Sequence, residues 1–217
     1  MASSQTQGNC YLCGKTLGKT LGKTAMKNHV LKEHTDGPEE CFLLKIEGLH
    51  AKQYWLYVDI AKDKPLNTLD SFLRKIWLEC CGHLSAFHPG SNPYTHTNIG
   101  KSRKAGEFSV GDVITHEYDM GSSTHCLITF VGETGRPQQR NAVRLLARNI
   151  PPVFECASCG APADYICQDC VYSSGDPCYC SACIDEHEHD VFADITNSPR
   201  CGECGYDGGL DVYEYTP

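Results

Sequence analysis

The sequence predicts an α+β protein in which a central domain is flanked by small zinc-binding modules. Three observations predict it. The middle of the chain alternates strand-like apolar runs with one strongly amphipathic helical segment, one Cys-x-x-Cys pair stands near the start and four near the end, and Pro151-Pro152 separates the last apolar run from the cysteine-rich end. A chain of 217 residues with 41% apolar side chains suits one core of about 100 to 150 residues with appendages. The expected modules are 1–36, 40–150 and 151–217.

The first module reads as a finger. Cys10-x2-Cys13 and His29-x4-His34 have the ligand types and order of a two-Cys two-His zinc site, a hairpin followed by a helix that carries both His. The fifteen residues between the inner ligands exceed the usual spacing by about three. The excess coincides with a tandem repeat, Gly14-Lys15-Thr16-Leu17, Gly18-Lys19-Thr20-Leu21, Gly22-Lys23-Thr24-Ala25, in the finger's loop. None of these Gly-Lys-Thr units has a Gly five positions before its own Gly, which excludes a nucleotide-binding P-loop. The other reading of this segment is a disordered N-terminus with chance Cys and His spacing.

In the central module, Phe42 to Glu47 and Tyr54 to Ile60 read as strands. Leu66, Leu69, Phe72, Leu73, Ile76, Trp77 and Cys80 recur at helical spacing, with Asn67 and Asp70 suited to the helix start and Gly82 just past its end. A polar stretch from Pro89 to Gly106 follows. Val113 to Tyr118 and Thr124 to Val131 flank a turn at Asp119-Met120-Gly121-Ser122-Ser123 and form a hairpin signal. Val143 to Ala147 ends the module at Pro151-Pro152, which neither helix nor inner strand can continue through.

Within this module the chain resembles the plasmid pRiA4b open-reading-frame-three-like proteins, found in bacteria and archaea and sometimes beside mobile elements. The resemblance rests on Trp55 and its strand, on Leu69-Asp70-Ser71-Phe72-Leu73-Arg74-Lys75-Ile76-Trp77 through Gly82-His83-Leu84-Ser85-Ala86-Phe87, and on His116-Glu117-Tyr118-Asp119-Met120-Gly121-Ser122-Ser123-Thr124-His125. Leu56-Tyr57 replace a basic pair of many relatives, and Met120 replaces the usual Phe of the turn. The resemblance implies a compact α+β domain with a mixed sheet. It also implies that some relatives carry an N-terminal finger and a Cys-rich tail, and it implies no established activity.

The last module holds eight cysteines in four pairs, Cys156/Cys159, Cys167/Cys170, Cys180/Cys183 and Cys201/Cys204, with His187 and His189 behind the third and Cys178 left over. A Cys-x-x-Cys knuckle turns both sulfurs to one side, so two knuckles, or one knuckle and two His, close a tetrahedron around Zn²⁺. The order is similar to B-box and MYND-type fingers. That similarity implies an interleaved cross-brace, with Cys156, Cys159, Cys180 and Cys183 on one ion and Cys167, Cys170, His187 and His189 on the other. Cys204 or Cys201 remains the alternative fourth ligand of the second ion, and sequential pairing of knuckles is the competing scheme. Few large apolar residues occupy this tail, so metal supplies its folding energy. Four protein ligands leave no place for water, which makes these sites structural. The expected cofactors are two Zn²⁺ in the tail and a third in the finger.

Charge and chemistry restrict function. From Pro151 onward thirteen Asp/Glu oppose one basic residue, Arg200, a tail charge of −12 within a net −8. Such a tail repels phosphates and favours a protein partner. The finger segment is basic, with Lys15, Lys19, Lys23, Lys27 and Lys32 against Glu33 and Asp36, and Arg140, Arg144 and Arg148 share a face whether helical or extended. Nucleic-acid binding through these residues is the second hypothesis. The third is a metal-dependent enzyme using His83, His116 and His125 near Asp119. Against it, Asp119 reads as a turn residue, His83 as a helix-end group, and Cys41, Cys80, Cys81 and Cys126 as small buried hydrophobes. No run of about 18 apolar residues and no signal-peptide stretch occur. The chain is expected to be a cytoplasmic, non-enzymatic protein whose zinc modules present a surface to a protein partner, away from membranes.

Overall fold

A computed structural model describes residues 7–18, 22–138, 141–173 and 176–208. The fold is α+β. Eight strands form one sheet in the order β2-β1-β8-β4-β3-β7-β6-β5: β1 (Gly8–Cys10), β2 (Thr16–Leu17), β3 (Glu39–Gly48), β4 (Trp55–Ala61), β5 (Ser85–Pro89), β6 (Val113–Tyr118), β7 (Thr124–Arg136) and β8 (Val143–Asn149). Every pairing of these strands is antiparallel, which corrects the expected mixed sheet. The finger is continuous with this sheet, because β1 pairs with β8.

Strand β4 is buried along its whole length, and two helices explain why. Leu56, Val58 and Ile60 face α2 (Leu66–Leu73) and the π turn Arg74–Leu78 that continues it, in a cluster with Leu69, Phe72, Leu73, Ile76 and Trp77. Trp55 and Tyr57 face the other way, toward Met26 and Val30 of α1 (Gly22–Glu33). A strand covered on both faces reads as a continuous apolar run. Asp59, on the α1 face, is fully buried because Arg136 donates to its Oδ1 and Arg144 donates twice to its Oδ2. Helix α2 starts at Leu66 without a side-chain cap, and Asp70, expected as a starting residue, turns into a buried polar network instead.

The tail folds around a second sheet of three short strands, β9 (Tyr165–Cys167), β10 (Cys178–Tyr179) and β11 (Phe192–Asp194), in the order β10-β9-β11. A strap from Asn197 to Arg200 ties it to the central sheet. The Ser198 hydroxyl donates to the Trp77 carbonyl at 2.6 Å, Arg148 donates to the Asn197 carbonyl at 2.6 Å, and Asn149 donates to the Asn197 side chain at 2.6 Å.

Candidate metal centres

In the finger, a tight turn brings the Cys10 carbonyl to the Gly14 amide at 2.9 Å and sets Cys10 and Cys13 on one side. Helix α1 buries Met26 and Val30 against the sheet, which aims His29, and His34 just past its end, at the two sulfurs. The atoms of Cys10, Cys13, His29 and His34 all lie within 4.8 Å of one another. Cys10 Sγ is 3.5 Å from His34 Nε2, Cys13 Sγ is 3.3 Å from His29 Nε2, and the two Nε2 atoms are 3.2 Å apart. Zn–S bonds of about 2.3 Å and Zn–N bonds of about 2.0 Å give tetrahedral edges of about 3.6 Å for S to N and about 3.3 Å for N to N. The observed spacings fit those edges. Desolvation, then the neighbouring His34, holds His29 below the ordinary imidazole value and favours the neutral ring a metal requires.

Two more sets form in the tail, and they interleave. Cys156, Cys159, Cys180 and Cys183 converge, with Cys159 Sγ 3.6 Å from Cys180 Sγ, while Cys167 and Cys170 converge with His187 and His189. His187 presents Nε2 and His189 presents Nδ1, each 3.4 Å from Cys170 Sγ and 3.2 Å from one another. Use of opposite ring nitrogens lets two His one residue apart meet one point. Sequential pairing is not the arrangement adopted. The apolar cluster of the tail consists largely of members of these two groups, with Cys156, Cys167, Cys170 and Cys180 beside Tyr179 and Ile184.

The remaining cysteines separate by environment. Cys41, Cys126 and Cys178 are buried, and desolvation pushes each thiol up to about 12. Cys201 accepts from the Thr196 amide at 3.3 Å and joins no ligand set among the described residues, so Cys201 and Cys204 do not share a site. Cys204 leaves the tail altogether. It meets Cys80, Cys81 and His83 in a further group of four, the one set the spacing of the chain did not reveal. Cys80 is half-buried and Cys81 exposed, which corrects their expected role as buried hydrophobes. His83 Nε2 lies 3.3 Å from Cys204 Sγ and its Nδ1 lies 3.5 Å from Asp119 Oδ1, so this ring does not serve the helix end. The Cys80-Cys81-x-His83 run was the available signal.

His83, His116 and His125 do not converge. His116 is fully buried and gives its Nε2 hydrogen to Asp70 Oδ1 at 2.7 Å, while His125 and His88 face Glu117 from 3.5 and 2.8 Å. A cleft of about 210 Å³ contains His50, His125 and Ser123. Ser123 gives its hydrogen to Glu117 at 2.8 Å, so no His activates it. Asp119 adopts φ 63° and accepts from the Gly121 amide at 3.1 Å, as expected of a turn residue.

The shared arginine face is also corrected. Arg140 lies outside the described residues. A bulge in β8 opposite Tyr57/Val58 puts Arg144 beside Asp59 and Arg148 beside Leu56, and Asp59 and Leu56 point to opposite faces of β4.

Fold and sites together define an α+β protein with Cys/His groups able to hold metal ions. No family model matches the chain, and no curated protein matches it. Among solved structures it is similar to a protein of unknown function from Methanosarcina mazei Go1, with 16% identity and a TM-score of 0.41 over 50% of this chain and 68% of that one. No helix among the described residues is long and apolar enough to cross a membrane.

Proposed function

We propose that this is a non-enzymatic zinc protein of the pRiA4b-like family, in which the finger and a B-box-like or MYND-like tail hold structural zinc and the assembly presents a surface to a protein partner. The observation that carries this reading is the ligand geometry. Each expected set brings four protein donor atoms within 4.8 Å of one another, so zinc bound by all four has no open position for water or substrate. The protein donors are thiolate and imidazole, which suits zinc over the hard, oxygen-seeking cations.

The surface is read from exposure and charge. Leu84 and Met120 are 76% and 55% exposed, on segments joined where the Asp119 amide donates to the Leu84 carbonyl at 2.9 Å. Tyr172, 67% exposed, extends from the acidic tail and donates to Glu203 at 2.6 Å. Apolar side chains beside a tail of charge −12 suit a protein segment that is basic and carries apolar anchors. Affinity capture with the intact chain and with a Leu84→Asp/Met120→Asp variant of unchanged metal content tests this reading. A protein recovered by the first and lost from the second is expected, and equal recovery would contradict it.

The nucleic-acid reading has weaker support. Lys23 and Lys45 are engaged by Glu47, and Arg144 by Asp59, which removes part of the basic face. Salt-insensitive association with DNA or RNA would eliminate it as an electrostatic mechanism.

A further inference from the structure

Cys80, Cys81 and His83 stand in one loop after the π turn, and the Tyr118 hydroxyl organises that loop from below. It accepts from the Cys80 amide at 3.4 Å and the His83 amide at 3.3 Å while donating to Glu79 at 3.0 Å, and Glu79 in turn accepts from the Gly82 amide at 2.6 Å. Gly82 has φ +76°, a left-handed conformation that a side chain would resist, and so lets the loop reverse between Cys81 and His83. Cys204 arrives from the tail, 121 residues from His83, with its own φ at +48° between Gly202 and Gly205. Strain of that kind persists where surrounding structure or a ligand fixes it.

We infer that Cys80, Cys81, His83 and Cys204 bind a further zinc ion that clasps the cysteine-rich tail onto the central sheet. Their ligand atoms lie within 4.8 Å of one another, and the 3.3 Å spacing of His83 Nε2 and Cys204 Sγ approaches the edge of a tetrahedron around zinc. Two further contacts suit a metal site. Asp119 Oδ1 faces His83 Nδ1, the arrangement in which a carboxylate holds the outer nitrogen and leaves Nε2 for the ion. Arg200 donates from Nη2 to Cys80 Sγ at 3.4 Å and to Asp119 Oδ2 at 2.6 Å. Three thiolates and one imidazole around Zn²⁺ carry a net negative charge, and this buried guanidinium offsets it. The site differs from the other three in drawing three ligands from the central domain and one from the tail. Loss of the ion therefore loosens the docking of the tail, which then rests on the Asn197 to Arg200 strap, without dismantling either part.

Native mass spectrometry of the intact chain, before and after mild chelation, tests the clasp. Four zinc ions per chain are expected, one for each Cys/His group, and three for Cys204→Ser and for Cys80→Ser/Cys81→Ser. Cys201→Ser keeps four, because Cys201 stands outside every group among the described residues. His83→Cys, which preserves a ligand, also keeps four and guards against mere misfolding. Limited proteolysis of Cys204→Ser at the Pro151-Pro152 connection should accelerate relative to Cys201→Ser. An intact chain that holds three ions, or a Cys204→Ser variant that still holds four, overturns the clasp and leaves the structural finger and tail sites standing. A chain without stoichiometric zinc overturns both.

Discussion

Arg200, the sole basic residue of the tail, is fully buried and donates to Asp119 at 2.6 Å in the turn of the central hairpin. It also donates to the Ser122 carbonyl and the Thr124 hydroxyl, each at 3.0 Å, so one side chain fastens the tail to the hairpin. Arg200→Met leaves the Asp119 carboxylate without its partner in a buried place. A loss of about 3 to 5 kcal/mol is expected, read by urea unfolding at constant zinc content. A loss near that of an exposed ion pair would mean that the tail is not docked this way.

Chelation should act unevenly. The tail's apolar cluster is built mainly from cysteines of its candidate metal groups, whereas the central cluster packs α2 against β3, β4 and β7 with large side chains such as Trp77, Phe42 and Phe130. A strong chelator is expected to abolish hydrogen-exchange protection in β9 to β11 and preserve it in β3 and β4. Uniform loss of protection would contradict the division.

Gly8 lies where β1 passes over Trp55. A Cβ there would overlap the Trp55 ring and stand 2.6 Å from the Arg148 carbonyl oxygen. Gly8→Ala should therefore lift β1 from β8 at a cost of about 1 to 3 kcal/mol and expose the finger to protease, compared with a neutral Thr16→Ser control.

Acid stability should depend on His116. Burial, opposed by its bond to Asp70, holds the ring below the ordinary imidazole value, so the folded protein keeps it neutral. Below about pH 6.5 the unfolded chain takes up a proton that the folded chain does not, and stability falls by up to about 1.4 kcal/mol per pH unit until the folded value is reached. Asp70 acts lower. Burial tends to raise its carboxyl, but bonds from His116, Ser85 and Lys101 hold it below the usual range. Its contribution is complete above the unfolded value of about 3.9 and is lost as pH falls through the folded value. Urea titrations of wild type and His116→Gln between pH 7 and 5.5, with zinc content monitored, should show a shallower slope for the variant.

Local chemistry was legible and long-range geometry was not. Runs such as Tyr54 to Ile60 and the turn at Asp119 announced β4 and the β6-β7 hairpin, because side-chain period and turn chemistry act over a few residues. Strand direction is set by distant pairing, and the antiparallel order therefore differs from the mixed sheet that the resemblance implied. A one-residue bulge moved Arg148 off the face of Arg144, and composition carries no trace of it. Knuckles showed themselves in the tail and finger since each half-site is a local pair. Cys204 shows the limit of that locality: its spacing to Cys201 suggests a knuckle, yet folding delivers it to Cys80, Cys81 and His83.

Zinc K-edge absorption on the intact chain, calibrated by elemental analysis, tests the central claim most directly. The account predicts stoichiometric zinc in four-coordinate sites with sulfur at about 2.3 Å and imidazole nitrogen at about 2.0 to 2.1 Å, and no water or carboxylate shell. Zinc with an open, oxygen-bearing coordination sphere, or no bound zinc at all, would contradict it.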